Sequence, residues 1–348
     1  MTLPRIVVGH RAFPETLSRL KTVADVVVPL PGADAMPVAE LEFELTRADA
    51  WMAFMPDSAD DALLARAPRL RIIGGALKGC DNFDVAACTR RGVWLSVVPD
   101  LLTVPTAELT IALMIGLARR VMEGDRHVRS GAFQGWRPQL YGIGLAGARV
   151  GFLGMGVIGQ AVARRLQPFG VRQRYFDPRP LAASDERALD LTREHDLVDL
   201  LHWSQFLILA APLTPDTLHI INRQTLSRLR PGCLLVNPSR GSLVDEHAVL
   251  AALESGRLAG YAADVFEMED WARTDRPREI AAGLRSHPAT LFTPHLGSAV
   301  IDVRQEIEAR AAENILDALA GRVPRDAVNP GARAAAAVLQ GAGVNPGE

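Results

Sequence analysis

The chain has 348 residues, 48% of them hydrophobic and 22% charged, with a formal charge of −2 at pH 7. That length is enough for about two domains with separate cores. The near-neutral charge, with arginines dispersed rather than blocked, argues against nucleic acid or another polyanion as partner.

From the amino terminus, MTLPRIVVGH has a short apolar run but no signal-peptide core, and predicts a first strand. Similar runs follow at VVVP (26–29), WMAFM (51–55), RIIGGA (71–76) and VWLSVV (93–98), with helical patterns between them. A helix is predicted from Pro105 to about Arg129. Its most apolar stretch, LTIALMIGLA, is too short to cross a bilayer, so no membrane partner is expected.

The alternation then restarts with RVGFLG (149–154), RQRYFD (172–177), FLILAA (206–211), CLLVNP (233–238), GYAADV (260–265) and TLFTP (290–294). Strands alternating with helices imply parallel sheets covered on both faces. The expected fold is α/β, with two doubly wound parallel-sheet domains. A six-stranded Rossmann domain, 103–298, would be inserted into a smaller flavodoxin-like domain built from 1–102 plus 299–330. The crevice between them would take the ligand. A second long helix is predicted from Val300 to about Ala320, and a frayed tail over 331–348. Cys80, Cys88 and Cys233 form no CxxC pair, so no metal site and a reducing cytoplasm are expected.

Gly154-Met-Gly156-Val157-Ile158-Gly159 follows an apolar strand and opens a helical pattern. In that context the glycines permit a tight turn, close approach of a pyrophosphate and helix-on-strand packing. Asp177 ends the next strand, where a carboxylate can accept from an adenosine ribose and repel a 2′-phosphate. NAD is therefore the favoured cofactor over NADP, although Arg172, Arg174 and Arg179 lie nearby.

Three charged residues lie just past strand ends: Arg240 in NPSRGSLVD, Glu269 in DVFEMED and His295 in TPHLGSA. A histidine exchanges protons near neutrality, a carboxylate can fix its tautomer, and an arginine can orient an anionic substrate. Each has a plainer reading. Arg240 could cap a helix or pair with Asp245, His295 could be a turn residue, and Glu267, Asp270 and Asp275 are rivals to Glu269. Lysine is scarce: of 38 basic side chains only Lys21 and Lys78 are lysine, and Lys78 follows the apolar run RIIGGA.

GMGVIG, APLTPDT, NPSRGSLVDE, ADVFEME and TPHLGS, in this order and spacing, resemble the D-2-hydroxyacid dehydrogenase family. The resemblance implies Arg240 as substrate-anion ligand, His295 as catalytic acid or base, and Glu269 rather than Glu267 as its support. Asp264, Pro238 and Ser239 would meet the nicotinamide end of the cofactor. MAFMPD, ALKGCDNFD, VPDLLTVPTAEL, FQGWRPQLYG and FEMEDWARTDRPR resemble one branch of that family, which oxidises phosphite to phosphate with NAD. Phosphite is a compact oxyanion for which a second cation is useful. Lys78 would supply it, facing Arg240 across the crevice, with backbone N–H groups near Gly79. Met55 and Leu102 would form an apolar wall, or simply core. By resemblance Trp136 and Tyr141 lie at a homodimer interface near the partner's active site, where Trp136 would line the substrate pocket. The rival activities are an ordinary D-2-hydroxyacid dehydrogenase, such as a glyoxylate or hydroxypyruvate reductase, and a non-catalytic NAD sensor.

Overall fold

Short β-branched runs separated by helices leave each strand buried on both faces, a pattern that parallel pairing satisfies. Both sheets of the computed structural model are parallel throughout. The structure describes residues 3–332; the tail expected to fray lies, from residue 333 on, outside the described residues. The chain divides into two units, each considered by itself.

The first unit comprises, of the described residues, 3–102, 271–274 and 300–332. Its strands are β1 (Arg5–Val8), β2 (Asp25–Val27), β3 (Ala50–Ala53), β4 (Ile72–Gly75) and β5 (Trp94–Ser96), in the order β2-β1-β3-β4-β5. This is the flavodoxin-like order. Trp51, Ile73 and Leu95 point into one apolar cluster with Leu45, Leu64 and Phe83. The helix Ile301–Leu319 covers the sheet through Ala311 and Ile315, both fully buried. It comes so close that a Cβ on Gly74 would stand 2.5 Å from Ile315 Cγ1. The chain beyond the helix is tied to β5, because Asn329 accepts from Leu95 N and donates to Val93 O.

The second unit comprises 103–270 and 275–299. Its strands are β6 (Arg149–Leu153), β7 (Arg172–Phe176), β8 (Leu191–Arg193), β9 (Phe206–Leu209), β10 (Cys233–Asn237), β11 (Leu258–Ala263) and β12 (Thr290–Phe292). They lie in the order β12-β11-β10-β9-β6-β7-β8. The reversal between β6 and β9 is the topological switch point of a doubly wound dinucleotide fold. One face packs Phe152, Phe206 and Val236 under Leu113 and Met114; the other packs Leu207, Leu235 and Ala263 against Leu200 and Val249.

Two expectations are corrected. The sheet has seven strands rather than six. The extra one, β8, is an edge strand only three residues long with Thr192 exposed, and so carries no apolar run to reveal it. The single helix expected from Pro105 to about Arg129 is two helices, Thr103–Ala118 and Val121–Arg129. Arg120 between them adopts the left-handed conformation (φ 54°), and Ile143 N, returning from a later loop, takes the Ala118 carbonyl at 2.9 Å. That bond, with Gly142 against the same carbonyl, blocks continuation of the helix.

Gly74→Ala should overpack the contact with Ile315 and cost roughly 1–3 kcal/mol. Thermal denaturation is the check; an unchanged melting temperature would mean that the helix Ile301–Leu319 yields freely.

Candidate active site

The glycine loop joins β6 to the helix Val157–Leu166. Gly154 turns at φ +91°, and a Cβ there would lie 2.7 Å from the backbone of Ala210 and Ala211 beyond β9. A Cβ on Gly159 would come to 3.0 Å of Gly154 O, which explains its close packing. Gly156 differs: its φ is −71°, and a Cβ would meet nothing within 4 Å. No intramolecular contact demands glycine at that position, whereas a ligand backbone lying on the loop would. The helix behind it has no side-chain cap, so its first N–H groups are available to an anion, and Val157 is exposed beside them. Ile158 packs against the apolar cluster of this face. Asp177, just past β7, accepts from Met155 N at 2.9 Å and from Arg179 N at 2.9 Å. Its carboxylate is thereby fixed beside the loop. These residues fit a dinucleotide: an open glycine, unpaired amides and an oriented acid.

Arg240, Glu269 and His295 follow β10, β11 and β12, three adjacent strands of one sheet. Asn237, the last residue of β10, donates to Arg240 O at 2.9 Å and accepts from Ser239 N at 3.1 Å. Ser239 Oγ donates to Ala211 O, and Pro238 is buried. The next residue, Gly241, lies on the Phe266–Glu267 peptide so closely that a Cβ would overlap it. The arginine loop and the glutamate turn are therefore pressed together.

Asp264 fixes the histidine. It is 1% exposed and accepts from Thr293 Oγ1 (2.6 Å), Leu296 N (2.7 Å) and Gly297 N (2.8 Å), while its carbonyl takes His295 N. Burial pushes its pKa up against those hydrogen bonds. Both oxygens are thus engaged by the histidine loop, which gives the residue a positioning role. His295 itself is left-handed (φ 56°), and its Nδ1 lies 2.6 Å from Glu269 Oε2. A carboxylate only accepts, so Nδ1 carries the proton and Nε2 keeps its lone pair for chemistry. The other oxygen of Glu269 accepts from Phe266 N at 2.8 Å.

The rival acids turn elsewhere. Glu267 Oε2 lies 2.8 Å from His219 Nε2, and Asp270 accepts from Ser242 N at 2.8 Å. Glu267 and Glu246 each accept from the other's backbone N–H, at 3.1 and 2.9 Å. Glu246, 3% exposed, has its pKa raised to about 7, first by burial and then by Glu267, Glu269 and Asp270.

In the first unit, Met55 and Lys78 lie past the carboxyl ends of the adjacent strands β3 and β4, both half-buried. Asn82 Nδ2 reaches Met55 O at 3.3 Å. Gly79 and Cys80 continue the Lys78 loop, and Leu102, buried, closes the unit's first segment. Cys88 and Cys233 are fully buried, and burial pushes both thiols up to about 12. Sequence reading missed Arg304. It donates to Ala76 O at 3.0 Å from the first turn of the helix Ile301–Leu319, stacks on Phe54, and has its pKa lowered by burial. The available signal was a basic residue on the apolar face of that helix.

Trp136 is 77% exposed and Tyr141 71% exposed in the second unit, so the single chain packs neither into a site. A groove of about 300 Å³ lined by Leu117, Met122, Tyr141, Leu234 and Leu291 lies at the amino ends of β10 and β12, opposite the charged residues.

Residues 111–297 match the family model "D-isomer specific 2-hydroxyacid dehydrogenase, NAD binding domain". The chain is 36% identical over 299 residues to a glyoxylate reductase of Pyrococcus furiosus, covering 84% of this chain and 86% of that one. It is 40% identical over 244 residues to a glycerate dehydrogenase of Hyphomicrobium methylovorum, covering 70% and 73%. Among solved structures, the TT0316 protein of Thermus thermophilus superposes with a TM-score of 0.81 at 34% identity, over 93% of this chain and 99% of that one.

Two substitutions test the geometry. Gly156→Ala should leave the melting temperature unchanged yet weaken NAD binding about tenfold or more, since its Cβ meets only the ligand; calorimetric titration with NAD reads it, and undiminished affinity would remove the loop from the cofactor site. Glu246, with its pKa raised from 4.5 to about 7, contributes stability that is full below 4.5 and lost as pH rises through 7. Glu246→Gln should therefore stabilise the fold at pH 8 by on the order of 3 kcal/mol at most, read as a higher melting temperature, and change it little at pH 4.5.

Proposed function

Because the chain belongs to the D-isomer-specific 2-hydroxyacid dehydrogenase family, we propose that it transfers a hydride between a small oxyanion and NAD, and that this oxyanion is phosphite. The observation that carries hydride transfer is the 2.6 Å bond between His295 Nδ1 and Glu269, in the unit that holds the glycine loop and, past the adjacent strand β10, Arg240. When bound, NAD⁺ supplies the hydride acceptor. The chain's own residues do the rest. Arg240 binds and orients the anion. His295 Nε2 takes a proton from a water attacking phosphorus, as the P–H hydrogen departs with its electron pair. Glu269 stabilises the imidazolium so formed. Phosphite, water and NAD⁺ become phosphate, NADH and one proton.

Phosphite is supported by Lys78 and by the loop sequences around it. A tetrahedral oxyanion that carries nearly two charges near neutrality benefits from a compact second cation in a way that a carboxylate monoanion does not. Lys78 is one of only two lysines in the chain and is half-buried at a strand end with Met55.

The curated relatives favour a second reading over phosphite: reduction of glyoxylate or hydroxypyruvate, or oxidation of glycerate. His295, Glu269 and Arg240 serve both reactions, since in this one His295 Nε2 donates the proton to the new hydroxyl. Asp177 supports NAD over NADP in either case. A homodimer belongs to the proposal, with the exposed Trp136 and Tyr141 covered by a second copy.

Purified protein should reduce NAD⁺ with phosphite and fail to do so with D-lactate or D-glycerate. Oxidation of NADH by glyoxylate, with phosphite inert, would establish the second reading. Lys78→Ala should raise the KM for phosphite at least tenfold, on the order of 1.4 kcal/mol, while the KM for NAD stays near its original value. An unaltered KM for phosphite would remove Lys78 from substrate binding.

A further inference from the structure

The turn Glu267–Glu269 holds a histidine on each side. Glu269 binds His295, and two residues earlier Glu267 binds His219 Nε2 at 2.8 Å. His219 sits in the loop between β9 and the helix Arg223–Arg228, far from the GxGxxG and RG motifs in sequence. Its backbone is left-handed (φ 49°), like that of His295. A histidine held in that conformation is strained and persists only where its surroundings over-determine it. Here they do: His219 N donates to Ser242 O at 2.8 Å, and Asn222 Nδ2 donates to His219 O at 2.9 Å. Ser242 N in turn binds Asp270, which follows the turn. The imidazole is thus aimed at Glu267 by a framework that includes the arginine loop.

We propose that His219 is a positioning residue for the hydride-transfer site, holding through Glu267 the turn that presents Glu269 to His295 and adjusting by its own charge how firmly His295 keeps a proton. The inference rests on the reading of His295 as acid or base. His219 is suited to the role because its ring is about one-third exposed (35%) while the Glu267 side chain is 7% exposed, so one partner exchanges protons with solvent and the other transmits the change inward. Glu246, from the first turn of the helix Glu246–Glu254, braces Glu267 from behind. The other ionisable groups around the turn are Glu269 on it, Asp270 just after it, Tyr261 on β11, Arg240 on the β10 loop, His295 after β12, and Arg276, which donates to Met268 O at 2.9 Å. The acids outnumber the cations here. A proton on His219 therefore offsets local negative charge and loosens the hold on a proton at His295, whereas loss of the Glu267 charge acts in the same direction permanently.

The test uses the full chain labelled with ¹⁵N-histidine, titrated by NMR as wild type, His219→Gln and Glu267→Gln, with the His295 signals identified by their absence from His295→Gln. Glutamine at 219 keeps a donor for Glu267 but cannot ionise. The His295 midpoint should rise in His219→Gln and fall in Glu267→Gln, each by roughly half a pH unit, a threefold change in proton affinity. The limb of the pH–rate profile governed by His295 should move in step, with the KM for NAD unchanged. His219→Ala, lacking the donor, should also lower kcat, and His219→Gln should restore most of it. If neither midpoint moves, the idea is wrong, even where the variants melt earlier, because a purely structural tie would change melting alone. Should the wild type turn over neither phosphite nor glyoxylate, the function proposed above fails, while the titration still decides the role of His219.

Discussion

The buried carboxylate of Asp264 is the constraint on which the second unit's chemistry rests. A charge that is 1% exposed must be offset by hydrogen bonds, and all three donors come from the segment 293–297. Meeting that demand draws the segment into one conformation and holds His295 left-handed. The same strand, β11, then continues into the turn that carries Glu269. One strand end thus fixes the position of the histidine and supplies its partner, 2.6 Å away. The arginine is tied in by contact rather than charge, because Gly241 leaves no room between its loop and the Phe266–Glu267 peptide.

A consequence of this arrangement is crowding of acids. Glu246, Glu267, Glu269 and Asp270 all lie around one short turn, and the other three raise the proton affinity of Glu246 beyond what burial does. The structure handles this by distributing partners: backbone amides for Glu246 and Asp270, imidazoles for Glu267 and Glu269. The remaining strain falls on Glu246, whose proton affinity is raised. Perturbed acids gather where chemistry needs preorganised charge, and here Glu246, strongly perturbed, braces the turn from behind.

Much of this was legible in the sequence where residues act locally. Every run read as a strand, from RIVVGH to TLFTP, became one, because two-sided burial leaves a continuous hydrophobic signature. The strand-end residues could be read from position alone, since parallel sheets gather ligands at carboxyl ends. What escaped was what depends on partners distant in the chain. The edge strand β8 is held by pairing with β7 rather than by its own composition. The break at Arg120 is imposed by Ile143, more than twenty residues on. Asp264 shows in sequence only as an acid beside a cofactor motif, and no spacing rule reveals that both its oxygens are taken up by the histidine loop. His219 and Arg304 carry no motif; only folding puts one beside Glu267 and the other beside the Lys78 loop.

The disposition of the three sulfur atoms has a use of its own. Cys88 and Cys233 are sealed in the two cores with thiols that do not ionise near neutrality. Cys80 alone is half-exposed, two residues from Lys78. The unaltered chain therefore presents one addressable thiol, in the loop proposed to meet the substrate anion. A small environment-sensitive dye attached there would report loop occupancy as a change in emission, in a protein that needs no cysteine removed and none added.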